Sequence, residues 1–498
     1  MSKPASDAEN VAVNAKPRKS SQFLRRVSPC SPSSPKLSIY LLAVFVILFV
    51  LFQIQSLQTP PTSPWAFMHQ WEKIVTKSCF SSFHESPREL KAVASKLRAS
   101  VTFLPLKDLR FSQAAMRGHT WFMSSLYDMH EEGEVQYQQF PTDASRGRVL
   151  CLKGRDTHDG SWNSYALAWP GALPDNATLM KGLTFVSYNH YDYHNIWHGL
   201  SAMMPFVAWH IKSQCAVPNR WILYHWGEVR TSMAPWVGTL LEATFGAPIG
   251  IETFDGIHHN ESDGDNDDDA AACFEEAVVM RHNEGGMSRE KRMEVYDLMR
   301  CRSRMYCNVS SDGRREKGFR IGMTMLMRNG PRSFKNASAV ISIFEKECRK
   351  VEGCRLMVAY PHNLTFCEQV ELMSLTDIVI SAHGAQLSNM ILMDRNSSVM
   401  ELFPKGWLEL AGVGQYVHHW LANWSGMRHE GAWRDPVGDH CPFPEDDRRC
   451  MSMFKNGRIG HNESYFSEWA RNVLNDQVKL KKAQNVSISP VSGLCGCK

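Results

Sequence analysis

Two zinc signatures are missing from the 498 residues: no Cys-x-x-Cys pair and no His-Glu-x-x-His occurs, which argues against a zinc site of either kind. No internal repeat is visible. An excess of charge of one sign is confined to the first 36 residues, where seven Lys/Arg face two Asp/Glu; the rest of the chain is net −1 within a total of +4. So neutral a body offers no grip on a polyanion, which excludes a dedicated nucleic-acid binder. With 43% hydrophobic and 21% charged residues, the chain is neither collagen-like, nor wholly disordered, nor a small disulfide-stapled module. Its length allows two or three domains of about 150 residues.

What is present begins with an apolar run at 37–54, of which 39–52 is wholly apolar. As a helix it spans ~27 Å, enough for a thin bilayer. Lys16, Arg18, Lys19, Arg25, Arg26 and Lys36 precede it and no charge follows until Glu72, which puts the short N-terminal tail in the cytoplasm. The run starts late and has no small-x-small cleavage site after it, so a type II signal anchor is expected rather than a cleaved signal. The expected order is a cytoplasmic tail 1–36, the span 37–54, and a stalk 55–94 whose start is rich in Pro, Thr, Ser and Gln. A domain at 95–312, a second at 313–464, and a C-terminal helix and tail at 465–498 complete it.

Past the anchor lie nine glycosylation sequons, at Asn176, Asn260, Asn308, Asn336, Asn363, Asn396, Asn423, Asn462 and Asn485. Their density fits a glycosylated lumenal body. Of 14 cysteines all but Cys30 follow the anchor, leaving an odd number, so one thiol is expected to stay free or to pair between chains. Cys301/Cys307 and Cys348/Cys354 are spaced for local bridges, although spacing does not fix connectivity. A short anchor with such a body reads as a Golgi resident.

Strand and helix patterns alternate over 319–403. Strands are expected at 319–327, 356–360, 377–380 and 399–403, and helices around Val340–Cys348 and after the capping box of Thr365 and Glu368. That alternation implies a parallel sheet with both faces covered, and such sheets bind ligands at the carboxyl ends of their strands. An earlier α/β unit has strands at 184–188 and 221–224 and helices through Ala208 and over 233–245, with a polar linker near 310–317. Tyr465, Trp469 and Val473 mark a terminal helix able to cross back onto the first unit. The acidic run at 258–269 reads as a solvated insertion. It lacks the strand context of a metal-binding Asp-x-Asp, so no metal is expected.

The segment Ser381-Ala382-His383-Gly384-Ala385-Gln386-Leu387-Ser388-Asn389 follows an expected strand directly. Gly384 permits close backbone approach, the next helix would offer free N–H groups, and His383 adds a donor, cationic if protonated. Alone, this is equally a strand-to-helix turn capped by a histidine. Arg328 and Arg332 sit past another strand end of the same sheet, and together these groups make a pocket of phosphate scale. They would stabilise a departing nucleoside diphosphate without a metal. In 188–198, His190, His194 and His198 fall at i, i+4 and i+8, but the segment precedes the expected helix. Asp192 or His198 is a candidate general base; ordinary packing is the other reading.

These residues resemble the family-61 glycosyltransferases over roughly 180–405, the plant members and the EGF-domain O-GlcNAc transferase among them. Asn195-Ile196-Trp197-His198 is similar to the family's Asn-x-x-His element, whose Asn195 and Trp197 would face the acceptor cleft. Arg328, Arg332 and Asn336 are similar to its Arg-x-x-x-Arg-x-x-x-Asn loop. His383-Gly384-Ala385 with Leu387 and Asn389, followed by Glu401-Leu402-Phe403, is similar to its HGA…ELF donor block. The resemblance implies a GT-B-like α/β architecture, two Rossmann-like domains facing a cleft behind the membrane helix. It implies inverting, metal-independent transfer of xylose, arabinose or GlcNAc from a UDP-sugar to a glycan or glycoprotein, with no further cofactor. Donor contacts would come from Arg328, Arg332, Ser381, His383, Gly384, Ala385, Leu387, Asn389 and Glu401. Several members carry an Asp four residues after the motif His, where this chain has Ala202. Asp192 or His198 would then act as base, or the chain has a changed acceptor or is an inactive glycan-binding or assembly protein.

Overall fold

The computed structural model describes residues 87–106, 131–154, 163–188, 195–225, 234–253, 270–280, 287–309, 320–407, 412–443, 445–484 and 495–496. All belong to one compact unit, Pro87–Lys498. The expected tail and span (1–54), Asp192, His190, His194, the acidic run, the 310–317 linker, Asn260 and Asn485 lie outside these residues. Among those described, no helix is long and apolar enough to cross a membrane.

Two sheets organise the unit. The first has eight strands: β1 (Leu104–Leu106), β2 (Tyr137–Phe140), β3 (Val149–Lys153), β4 (Asn163–Ala168), β5 (Thr178–Tyr188), β6 (Arg220–His225), β7 (Gly250–Thr253) and β8 (Ala272–Met280). Their order is β1-β4-β3-β8-β5-β6-β7, with β2 also on β8. The half β8-β5-β6-β7 is parallel, while β1, β2, β3 and β4 pair antiparallel. The first unit is therefore a mixed sheet rather than a plain Rossmann unit. A hairpin, β3–β4, extends it where the sequence shows only short strands, and Cys151–Cys273 joins β3 to β8 across the junction.

The second sheet is wholly parallel: β9 (Ile321–Leu326), β10 (Cys354–Ala359), β11 (Ile378–Ala382), β12 (Ser398–Phe403) and β13 (Arg428–Arg434), in the order β10-β9-β11-β12-β13. Every residue of β9, β11 and β12 is buried, as a two-face-covered strand requires. Counted within this sheet the order is 2-1-3-4-5, the doubly wound arrangement whose switch point falls between its first and third strands. That point lies between β9 and β11, so the chain leaves their carboxyl ends in opposite directions and opens a crevice there.

The helices are α1 (Pro87–Ala99), α2 (Ile196–Lys212), α3 (Ala234–Phe245), α4 (Arg289–Tyr306), α5 (Ala337–Cys348), α6 (Phe366–Ser374), α7 (Val417–Ser425), α8 (Asp447–Asn456) and α9 (Glu463–Gln484). The first of these begins inside the segment expected to be stalk. The capping box expected at Thr365 is formed on both sides: Thr365 N–H donates to Glu368 Oε2 at 2.7 Å and Glu368 N–H to Thr365 Oγ1 at 3.3 Å. One apolar core runs between the sheets. It joins Phe185, Met203, Val237 and Leu298 of the first half to Leu326, Val379, Val399 and Leu421 of the second.

The outer face of the second sheet buries Met323, Ile380 and Met400 against Phe344 of α5 and Phe466 and Leu474 of α9. The terminal helix thus packs on the second sheet and not on the first unit. Its stripe of Phe466, Ala470, Val473 and Leu474 fits the apolar surface beside α5, with the Phe344 and Phe466 rings 5.7 Å apart. Beyond it, Cys495 returns to α4 by a disulfide to Cys301. Cys307 pairs with Cys367, so the local Cys301/Cys307 bridge does not form; Cys301 lies on α4 and Cys307 caps its end, each facing a different neighbour. The local Cys348–Cys354 bridge does form, and Cys441–Cys450 adds another. Every described cysteine is disulfide-bonded; Cys30, Cys79 and Cys497 lie outside the described residues. All seven described sequon asparagines are exposed.

Candidate active site at the switch point

The loop after β9 carries Arg328 and Arg332, and the turn after β11 carries His383 and Gly384. The loop is held from behind: Arg332 N–H donates to the Gly457 carbonyl at 2.9 Å, Ile459 N–H to Ser333 O at 2.9 Å, and Lys335 N–H to Ile459 O at 2.7 Å. Buried Asp435 fixes that segment by accepting from Gly460 N–H at 2.6 Å and Val437 N–H at 2.8 Å. Arg332 is held at φ +61°, a conformation non-glycine residues adopt at a cost of about 1–2 kcal/mol. Its Nη1 donates to the His383 carbonyl at 2.9 Å, and its guanidinium lies 5.1 Å from the centre of the Trp407 ring.

Gly384 is where the cations converge. A Cβ built on it would lie 2.6 Å from Arg328 Nη1 and 3.0 Å from Arg332 Nη1, at φ +153°. Any side chain would displace both guanidiniums. Arg328 is half-buried, its Nε is buried, and it has no hydrogen-bond or ion-pair partner among the described residues. Burial alone pushes its pKa down. A solitary guanidinium removed from water is costly unless an anion reaches it.

Glu401 anchors the histidine side of the site. His383 Nδ1–H donates to its Oε1 at 2.7 Å, His418 Nδ1–H to the same oxygen at 2.8 Å, and His429 Nε2–H to Oε2 at 2.9 Å. Burial opposes ionisation of Glu401, but those three donors overcome it and hold its carboxyl well below the usual range. Burial pushes His383 down to about 4, despite the opposing pull of Glu401, so it is neutral near pH 7. The site therefore has two cations and a neutral histidine, not three cations, because burial outweighs the carboxylate. The His383 ring stacks on Phe403 at 4.6 Å and lies 4.9 Å from Trp407. The ligating atoms of His383, Glu401 and His418 lie within 4.8 Å of one another. Each His–Glu contact is a hydrogen bond, which accounts for the cluster as two donors on one carboxylate oxygen, with His429 on the other.

The other residues singled out in the sequence support this geometry from below. Ser381 is fully buried, donates to the Ala382 carbonyl at 3.0 Å and accepts from Gln386 Nε2 at 2.9 Å. Leu387 is fully buried in the core, and buried Asn389 donates to the Gln386 carbonyl at 3.0 Å. Ala385 opens the 3-10 segment Ala385–Leu392, so the expected α-helix after Gly384 is a tighter turn with fewer aligned N–H groups. Asn336 caps α5 by accepting from Ala339 N–H at 3.0 Å.

From the first half, Asn195 caps α2 and accepts from Trp197 N–H at 3.1 Å. The Trp197 ring stands edge-on 6.3 Å from His418, which brings the Asn-x-x-His element against the histidine cluster. His198 is half-buried in the first turn of α2, inside the helix rather than before it. Ala202 is 2% exposed and belongs to the shared core, a packing position. Sequence reading missed Trp407, His418 and His429. Their one signal is the concentration of Trp and His after residue 404.

Residues 196–400 match the family model described as Glycosyltransferase 61. No curated protein matches the chain. The match spans His198, both arginines and the His383–Asn389 segment, and on that ground the chain carries a glycosyltransferase family 61 domain over residues 196–400.

Proposed function

We propose that the protein transfers a sugar from a UDP-sugar to a hydroxyl of a glycan or glycoprotein, by inverting single displacement and without a metal. The diphosphate lies on Arg328 and Arg332 above Gly384, at the switch point of the second sheet. The acceptor enters from the side of Trp197 and His198. A base from the first half, His198 or Asp192, takes the acceptor proton as the oxygen attacks the anomeric carbon opposite the departing nucleotide. The two guanidiniums stabilise the charge that develops on that nucleotide. The disulfides suggest the secretory pathway; with the apolar run at 37–54 and the exposed sequons, a Golgi type II membrane protein with a lumenal catalytic domain is the reading they support.

The observation that carries this reading is Arg328, a half-buried cation with no partner among the described residues. Its replacement separates binding from folding. Arg328→Ala removes an unpaired charge, so the melting temperature should hold or rise, while UDP affinity measured by calorimetry should fall at least tenfold, since a charge-assisted hydrogen bond is worth about 1.5–3 kcal/mol. Unchanged UDP affinity would remove the donor pocket from the proposal. Ala202 favours a second reading, sugar-nucleotide binding without turnover. Transfer or hydrolysis of UDP-xylose, UDP-arabinose or UDP-GlcNAc by the purified protein would decide against it.

A further inference from the structure

A carboxylate has no proton to give, so each imidazole nitrogen that meets ionised Glu401 must carry one. His383 is thereby protonated on Nδ1, and in the neutral ring Nε2 is left with a lone pair. The ring cannot swing: Phe403 covers one face at 4.6 Å and Trp407 lies 4.9 Å away, while its backbone N–H is paired to the Leu402 carbonyl at 2.8 Å. The two ring nitrogens point in roughly opposite directions. The bond that draws Nδ1 onto β12 therefore turns Nε2 away from that strand. Glu401 itself is 1% exposed and its oxygens are taken up by His383, His418 and His429, so it has no path to a ligand.

We propose that Glu401 is a positioning residue that holds His383 as its Nδ1–H tautomer, so that Nε2 accepts a hydrogen bond from a hydroxyl of the bound sugar nucleotide. This rests on the donor-site reading above and gives it a division of labour. Arg328 and Arg332 take the diphosphate oxygens, and His383 takes a neighbouring O–H, a group that inorganic pyrophosphate lacks. His418 and His429 complete the carboxylate, so that Glu401 stays ionised although buried. The hydroxyl belongs either to the ribose or to the transferred sugar.

The test uses the whole protein labelled with 15N-histidine, with the His383 signals assigned by their loss in His383→Asn. Two-bond 15N–1H spectra should show His383 protonated on Nδ1 and its Nε2 shifting when UDP or UDP-xylose is added. In Glu401→Gln the amide N–H₂ can donate to Nδ1 and reverse the tautomer. The ligand that carries the hydroxyl, UDP if it is the ribose's or UDP-xylose if it is the transferred sugar's, should then bind about tenfold more weakly, whereas pyrophosphate affinity stays within twofold, and Glu401→Asp should recover part of the loss. If the ribose supplies the hydroxyl, 2′,3′-dideoxy-UDP binds wild type and Glu401→Gln alike; if the sugar does, only UDP-xylose separates them. An Nε2–H tautomer in wild type, or one equivalent of metal co-purifying on these histidines, overturns the proposal even if Glu401→Gln fails to fold. If wild type binds no UDP, the donor reading falls with it; if UDP binds but the tautomer is wrong, only this inference falls.

Discussion

Gly384 leaves a space that the guanidiniums of Arg328 and Arg332 occupy, and a methyl group there would collide with both. Gly384→Ala should leave the core intact, because Gly384 heads a turn at the edge of the sheet, yet weaken UDP at least tenfold in a binding titration. His383 makes a second prediction, in pH. Folding lowers its pKa from 6.5 to about 4, so the unfolded chain takes up a proton that the folded one refuses. Its contribution is fully present above about pH 6.5 and is lost as pH falls towards 4. Glu401 acts in the same direction lower down, since its depressed carboxyl stabilises above the usual carboxylate range and ceases to do so as pH drops through it. Melting temperature should therefore decline from pH 7 to 4, and His383→Asn should flatten the upper part of that slope. Arg328, Arg332, His383 and Gly384 were legible in the sequence because each lies in a short loop directly after an apolar strand. His418 and His429 were not, since only the packing of α7 and the parallel pairing of β12 with β13 bring them to Glu401, and Trp407, which lies against His383, has no motif to mark it.

At the scale of elements, four of the five strands of the second sheet were legible to within a few residues, because β9, β11 and β12 read as apolar runs, whereas β13, polar and mostly half-buried, was not. The helix start at Thr365 was written in its capping side chains, whereas the cap at Asn336 was found only in the structure. The antiparallel hairpin of the first sheet was not legible, its strands being short and half polar. Nor was the seat of α9, whose apolar stripe would suit any open face. The least visible device is the segment at 457–460, which braces the arginine loop and has no motif of its own. Asp435 is its anchor, buried and accepting two backbone N–H groups as well as Lys335 Nζ at 3.3 Å. Asp435→Ala leaves those donors unsatisfied, and unfolding titrations should show a loss of about 1–3 kcal/mol. Because Arg332 N–H hangs on the same segment, UDP binding should weaken as well, although Asp435 touches no part of the cradle. A loss of stability with unchanged UDP affinity would show that the brace does not set the loop.

Across the whole molecule, the two sheets share one apolar core, and covalent links run between the halves. Cys307, at the end of α4, is bonded to Cys367 of α6 over a separation of 60 residues. Closing a loop of that length restricts the unfolded chain by roughly 4 kcal/mol, whereas the 6-residue Cys348–Cys354 link restricts it less. The double variant Cys307→Ser with Cys367→Ser should accordingly lower the melting temperature by on the order of 5–10 °C, and more than Cys348→Ser with Cys354→Ser. The effect on activity should be uneven. The cradle of Arg328, Arg332 and Gly384 is built wholly from loops of the second sheet, so UDP affinity should stay within about twofold. Trp197 and His198 come from α2 of the first half, and the place of Trp197 beside His418 depends on the core that Cys307–Cys367 staples. Transfer to an acceptor should fall while donor binding holds. Equal losses in both would mean that the donor pocket, too, needs the two halves locked together.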